Sequence, residues 1–188
     1  PLAAITKRQA ERLRARLGEG VLVDWAMRYG NPSIPDRLAA MHEAGCERIL
    51  FAPLYPQYSG ATTATAVDKV SQTLGAMRWQ PTIRTLPPYH DDPLHIAALA
   101  SDIGAQLDAL EFVPEVLVLS FHGMPQRTLE LGDPYHCHCC KTARLVEDAV
   151  ARHDLRIVTS FQSRFGRAKW LEPATDAVLE AEAKGGTQ

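Results

Sequence analysis

No stretch of this sequence stays apolar for the roughly 20 residues that a membrane-spanning helix needs, and none has the makeup of a secretory signal peptide. Neither sign of charge is in excess. With 20 Lys and Arg against 22 Asp and Glu, the net charge of −2 gives no electrostatic footing for nucleic acid. The chain has no glycine-rich phosphate loop, no low-complexity tract and no internal repeat, and its Ser, His and Asp residues follow no order that suggests a nucleophilic triad. Cysteine is scarce: there are four in 188 residues, three of them crowded between Cys137 and Cys140. That spacing does not make a secreted disulfide framework. It points instead to a reducing compartment or to metal. A cytoplasmic location is expected, with peripheral membrane association left open.

What the chain does have is alternation. Residues 6–17 repeat with helical period, with Ala10, Leu13 and Leu17 on one face, until Gly18 and Gly20 stop them. Val21–Val23 opens an expected strand that ends near Arg28–Gly30. Asn31-Pro32-Ser33 is a turn, and Ser33 is placed to cap a short helix with Leu38 and Met41 facing inward. A strand is expected over 49–54, then a helix capped by Thr62 or Thr63 with Val67, Val70 and Leu74 on its apolar face, then a strand over 81–86. Pro87-Pro88 and Asp91-Asp92-Pro93 bracket a connector, after which Ile96, Leu99, Ile103 and Leu107 mark a helix that Pro93 begins. The strand Val116–Ser120, a helix from about Cys140 to Ala151, a strand over 157–160 and a last helix from Glu172-Pro173 to near Gly185 complete the pattern.

Strand and helix in alternation argue for an α/β protein with parallel sheets flanked by helices. Right-handed crossovers then bring the strands' carboxyl ends to one edge, where open parallel sheets bind ligands. His122 falls there, after a short run expected to be buried on both faces. Gly123 and Pro125 keep the following chain out of helix. Arg28-Tyr29, Tyr55 and Gln162-Ser163 also fall just past expected strand ends and are candidates to join His122.

Four segments carry a resemblance. Ser-Phe-His-Gly-Met-Pro-Gln-Arg-Thr (120–128) with Gly-Asp-Pro-Tyr (132–135) resembles the signature of bacterial ferrochelatases, which insert ferrous iron into a porphyrin. Met-Arg-Tyr-Gly-Asn-Pro (27–32), Pro-Leu-Tyr-Pro-Gln-Tyr-Ser (53–59) and Phe-Gln-Ser-Arg-Phe-Gly (161–166) with Trp170-Leu171 match in the same order. The resemblance implies a chelatase-like α/β fold of two Rossmann-type lobes, with residues 1–90 part of the first and 91–188 the second. It implies protoporphyrin IX and ferrous iron as substrates, haem as product, and no redox cofactor. His122 is then the catalytic residue, binding metal or accepting protons, and Arg28, Tyr29 and Tyr55 bind the porphyrin. In the family a glutamate of the metal site follows the last helix seen here, and a loop covering the porphyrin precedes the first. The segment is therefore expected to be internal to a longer enzyme and to insert no iron at a useful rate alone. A chelatase for another metal or tetrapyrrole, coproporphyrin included, and a non-catalytic iron–sulfur or haem-binding module are the alternatives.

The cysteines leave two readings open. Cys137, Cys139 and Cys140 are either free thiols or ligands of a [2Fe–2S] cluster, completed by Cys46, His136, His138 or a residue outside the chain. Animal ferrochelatases place a cluster cysteine directly after the Tyr-Ser of the matching loop. Gly60 stands there in this sequence, which excludes an animal-type cluster.

Overall fold

A computed structural model describes residues 1–187, which cluster into two units. The first holds residues 1–54 and 61–87. The second holds residues 55–60 and, of the described residues, those from 88 on. The division is not a single cut, because Tyr55–Gly60 leaves the first unit and packs with the second.

The first unit begins with α1 (Leu2–Leu17), which Gly18 ends at a positive φ of 71°. Of its expected apolar face only Ala10 is buried, and Leu13 and Leu17 are each 48% exposed. Periodicity located the helix but not what covers it. Residues 21–30 form no ladder. Among the described residues the segment has one isolated parallel bridge, Met27 with Ser33, in place of the expected strand. An extended apolar segment becomes a strand only when a neighbouring backbone takes its N–H and C=O groups, and among the described residues 21–26 join no ladder; the Val23 carbonyl accepts from the Arg14 side chain instead. Ser33 then caps α2 (Ile34–Glu43) by accepting the Asp36 N–H, with Pro35 in the first turn where a missing N–H costs nothing. The strand β1 (Arg48–Phe51) pairs in parallel with β2 (Thr82–Thr85) through the crossover helix α3 (Thr63–Ala76). Thr62 occupies the N-cap of α3, yet neither its hydroxyl nor that of Thr63 bonds to an amide there. Ile34, Leu38 and Val70 form the core, flanked by Ile49, Phe51, Leu74 and Ile83.

The second unit repeats the arrangement. Asp92 caps α4 (Pro93–Asp108) by accepting the Leu94 and His95 N–H groups. Then come β3 (Val116–His122), the short α5 (Gln126–Glu130), α6 (Tyr135–Val150), β4 (Arg156–Gln162) and α7 (Thr175–Gly185). The strands β3 and β4 run parallel in a register from Val116–Arg156 to His122–Gln162. α4 packs on α6, and both α6 and α7 pack on β4. The strand before His122 is half-buried rather than sealed on both faces, since β3 has one strand neighbour among the described residues. α6 starts five residues earlier than expected. Pro134 precedes its first residue, and the Asp133 carboxylate accepts the Tyr135 N–H. Among the described residues no helix is long and apolar enough to cross a membrane.

Candidate functional site

The second unit builds its site on the carboxyl ends of β3 and β4. His122 is the last residue of β3, opposite Gln162, the last of β4. The ladder continues one step further, with the Gly123 N–H donating to the Gln162 carbonyl at 2.7 Å. Only glycine fits this approach, because a Cβ at position 123 would lie 2.6 Å from that oxygen. Next, Leu171 N–H donates to Met124 C=O and Gln126 N–H to Lys169 C=O, which zips the loop after His122 to the segment before α7. Where the glycine and proline predicted open loop, this pairing and α5 give fixed structure.

Beneath the strand ends lies a core of Cys139, Phe161 and Leu171, with Phe121, Met124, Leu129 and Tyr135 packed against it. Tyr135 reaches out of this core and donates its hydroxyl to the His122 carbonyl at 3.0 Å. The backbone of His122 is thus held by β4 on one side and by Tyr135 on the other, while its imidazole is exposed. Burial, with the neighbouring Cys139, raises the phenol's pKa far above its ordinary value and keeps it a donor.

The loop carrying Tyr55 is pinned to the same unit. Gln57 Nε2 donates to Thr142 Oγ1 (3.1 Å), Tyr58 N–H to His138 Nδ1 (3.2 Å), Ser59 Oγ to Asp133 Oδ2 (3.3 Å) and Gly60 N–H to Asp133 Oδ2 (2.7 Å). His138 stacks on buried His90 with ring centroids 3.6 Å apart. Desolvation lowers the pKa of both imidazoles, and His138 lowers that of His90 further. Two neutral rings can stack this closely; two imidazolium ions would repel. Tyr55 itself is 39% exposed at the loop's start.

Arg28 and Tyr29 lie in the first unit. The Arg28 guanidinium sits over the Tyr29 ring, 4.4 Å from its centroid, and Tyr29 is 73% exposed. Arg28 Nε is buried without a hydrogen-bond partner among the described residues. A donor so placed suits a carboxylate, and the open tyrosine face suits a flat apolar ligand.

The three crowded cysteines differ in environment. They lie in the first two turns of α6, where successive residues are about 100° apart. Cys137 is exposed, Cys140 half-buried and Cys139 fully buried. Among the described residues no group of three or more His, Cys, Asp or Glu side chains is arranged to hold a metal ion. Burial pushes the Cys139 thiol up to about 12, and burial, followed by the Cys137 charge, raises that of Cys140. Alkylation of the native protein with a thiol reagent at neutral pH is therefore expected to modify Cys137 first and Cys139 last. Peptide mass mapping over time reads the order, and modification of Cys139 together with Cys137 would contradict this burial.

Sequence reasoning placed His122 and Gln162 at strand ends, and they stand paired there. It passed over Asp133 and Tyr135, although Gly-Asp-Pro-Tyr held the signal. An Asp two residues before a helical Tyr, with Pro between them, is a helix-start pattern.

Two parallel β–helix–β pairs, one of them presenting an exposed histidine at its carboxyl edge, define an α/β protein of the chelatase-like class. The comparisons with known proteins narrow this. The ferrochelatase family model matches residues 1–188. A ferrochelatase of Agrobacterium fabrum is 51% identical over 98% of this chain and 54% of its own length. One of Rhizobium meliloti is 51% identical over 100% of this chain and 56% of its own length, and one of Nitrobacter hamburgensis 47% identical over 100% and 55%. The chain belongs to the ferrochelatase family, and it spans a little over half the length of these curated relatives.

Proposed function

We propose that the protein containing this chain inserts ferrous iron into protoporphyrin IX, forming haem and releasing two protons. The observation that carries this reading is His122, exposed at the end of β3 on a doubly held backbone, in a chain whose whole length matches the family. Metal insertion needs the two pyrrole N–H protons removed and the iron's solvent shell stripped. An imidazole lone pair serves either task, as proton acceptor or as metal ligand. Tyr55 lines the porphyrin. Arg28 pairs with a propionate while Tyr29 packs on the macrocycle. The two units are read as parts of two chelatase lobes, and the protein as cytoplasmic, with any membrane association peripheral.

The cysteines of α6 are read as free thiols. A [2Fe–2S] cluster would need thiolates facing one centre, whereas Cys139 is a sealed thiol that hydrogen-bonds Tyr135. Full-length protein purified without oxygen is expected to be colourless. Visible charge-transfer bands and bound sulfide would overturn this assignment.

Steady-state assay of the full-length protein with ferrous iron and protoporphyrin IX tests the main reading, with coproporphyrin and cobaltous ion in parallel arms. Haem formation at the highest kcat/KM supports it. Preference for coproporphyrin or cobalt would replace the substrate, and porphyrin binding without turnover would make the protein a binding module. In the same assay Arg28→Ala is expected to raise KM for the porphyrin about tenfold or more with kcat nearly unchanged, since it removes a charge-assisted contact and not the base. A selective loss of kcat would contradict that role.

A further inference from the structure

We propose that Asp133 is a positioning residue that holds the Tyr55–Gly60 loop in register with the strand end bearing His122. This inference rests on the reading of Tyr55 and His122 as site residues.

Three donors converge on this one carboxylate, two from a loop more than seventy positions away and one from the helix start beside it. Oδ2 accepts the Gly60 N–H at 2.7 Å and the Ser59 hydroxyl at 3.3 Å, and Oδ1 accepts the Tyr135 N–H at 3.0 Å. The first two close the loop that begins at Tyr55. The third fixes the start of α6, where the Tyr135 side chain turns to the His122 carbonyl. One side chain thus ties both parts of the site to a single helix terminus. Asp133 is itself fixed, because its N–H donates to the Thr128 C=O of α5, the short helix after the His122 loop.

The chemistry requires a carboxylate. An ionised Asp has two acceptor oxygens and no hydrogen, so it takes all three donors at once. An Asn has one acceptor oxygen, and its NH2 would face either the Tyr135 N–H or the Gly60 N–H, donor against donor. The approach at Gly60 is close, since a Cβ there would stand 3.3 Å from Oδ2. Of the other loop contacts, Gln57 to Thr142 and Tyr58 to His138 are made by neutral groups further along α6, and the Pro56 carbonyl accepts the Tyr89 N–H at 3.1 Å. The Asp133 contacts are charge-assisted and lie at the end of the loop.

Asp133→Asn in the full-length protein is the test, because it keeps the shape while removing the charge and turning one acceptor into a donor. Three quantities are measured: amide hydrogen exchange over residues 55–60 and 120–124, kcat and KM for protoporphyrin IX, and the melting temperature. The expected result is exchange about tenfold faster in 55–60, with the rest of the second unit unchanged, and KM raised about tenfold or more. Unchanged exchange in 55–60 overturns the proposal, and so does an equal rise throughout the unit with a lowered melting temperature, which would mark general destabilisation. Wild-type KM despite a loosened loop also overturns it. If wild-type protein neither binds nor metallates protoporphyrin IX, the functional reading fails, and the exchange pattern still shows whether Asp133 locks the loop.

Discussion

Replacing His122 with Ala in the full-length protein is expected to lower kcat for iron insertion by at least about a hundredfold, the scale on which a catalytic acid–base group acts. The fold should not change. The His122 imidazole is exposed, and the group that Tyr135 holds is the backbone carbonyl, which Ala retains. Melting temperature and porphyrin affinity should therefore stay near wild type while turnover falls. That separation distinguishes a reacting imidazole from a strand-end residue that merely packs. Turnover within a few-fold of wild type would remove His122 from the chemistry, and the functional reading would lose its central residue.

Gly123→Ala is expected to have the largest structural effect of any single methyl group added to the site. The new carbon would meet the Gln162 carbonyl oxygen at 2.6 Å and Trp170 Cε3 at 3.2 Å. The first obstacle is backbone, and it is the same oxygen that accepts the Gly123 N–H. Relief requires separating the ends of β3 and β4, or moving the segment from Lys169 to Leu171 that zips onto the loop. Such overpacking costs about 1–3 kcal/mol. It would also displace the residue next to His122, so stability and turnover should fall together, unlike in His122→Ala. Thermal or denaturant unfolding of the full-length protein beside steady-state kinetics reads both. A variant with wild-type stability would mean that β3 and β4 do not meet this closely at their ends.

The contrast between these two substitutions follows from where each residue sits. His122 faces outward from a rigid edge, and Gly123 is part of the rigidity. The layer below is apolar apart from Tyr135 and the Cys139 thiol, and Cys139 is wholly buried at its centre. Of the three α6 cysteines, Cys139 therefore supports the His122 backbone through Tyr135, and exposed Cys137 takes no part in that core.

Much of this was legible in the sequence because it depends on neighbours in the chain. Ser33 and Asp92 cap their helices because a short polar side chain reaches an amide two or three residues ahead. The crossovers β1–α3–β2 and β3–α6–β4 follow from alternating patterns of apolar residues. The position of His122 follows from an apolar run ending before a glycine. These features carry their own signals, and the motifs at 120–128 and 161–166 identify the family without a coordinate.

Other features were decided by groups far apart in sequence. Val21–Val23 has the composition of a strand, but a strand needs a partner for its ladder, and none of the described residues supplies one. Leu13 and Leu17 follow the helical period, yet burial depends on what lies opposite, which periodicity does not encode. The Cys-X-Cys-Cys crowding left a helix expected only from about Cys140. In the structure Asp133 and Pro134 start the helix at Tyr135, and its turn buries Cys139 while leaving Cys137 exposed and Cys140 half-buried. Tyr55–Gly60 belongs to the second unit because Gly60, Ser59 and Tyr58 find acceptors on Asp133 and His138, more than seventy positions along the chain. A hydrogen bond between such distant residues leaves no periodic trace in the sequence, so only the folded chain shows which carboxylate the loop requires.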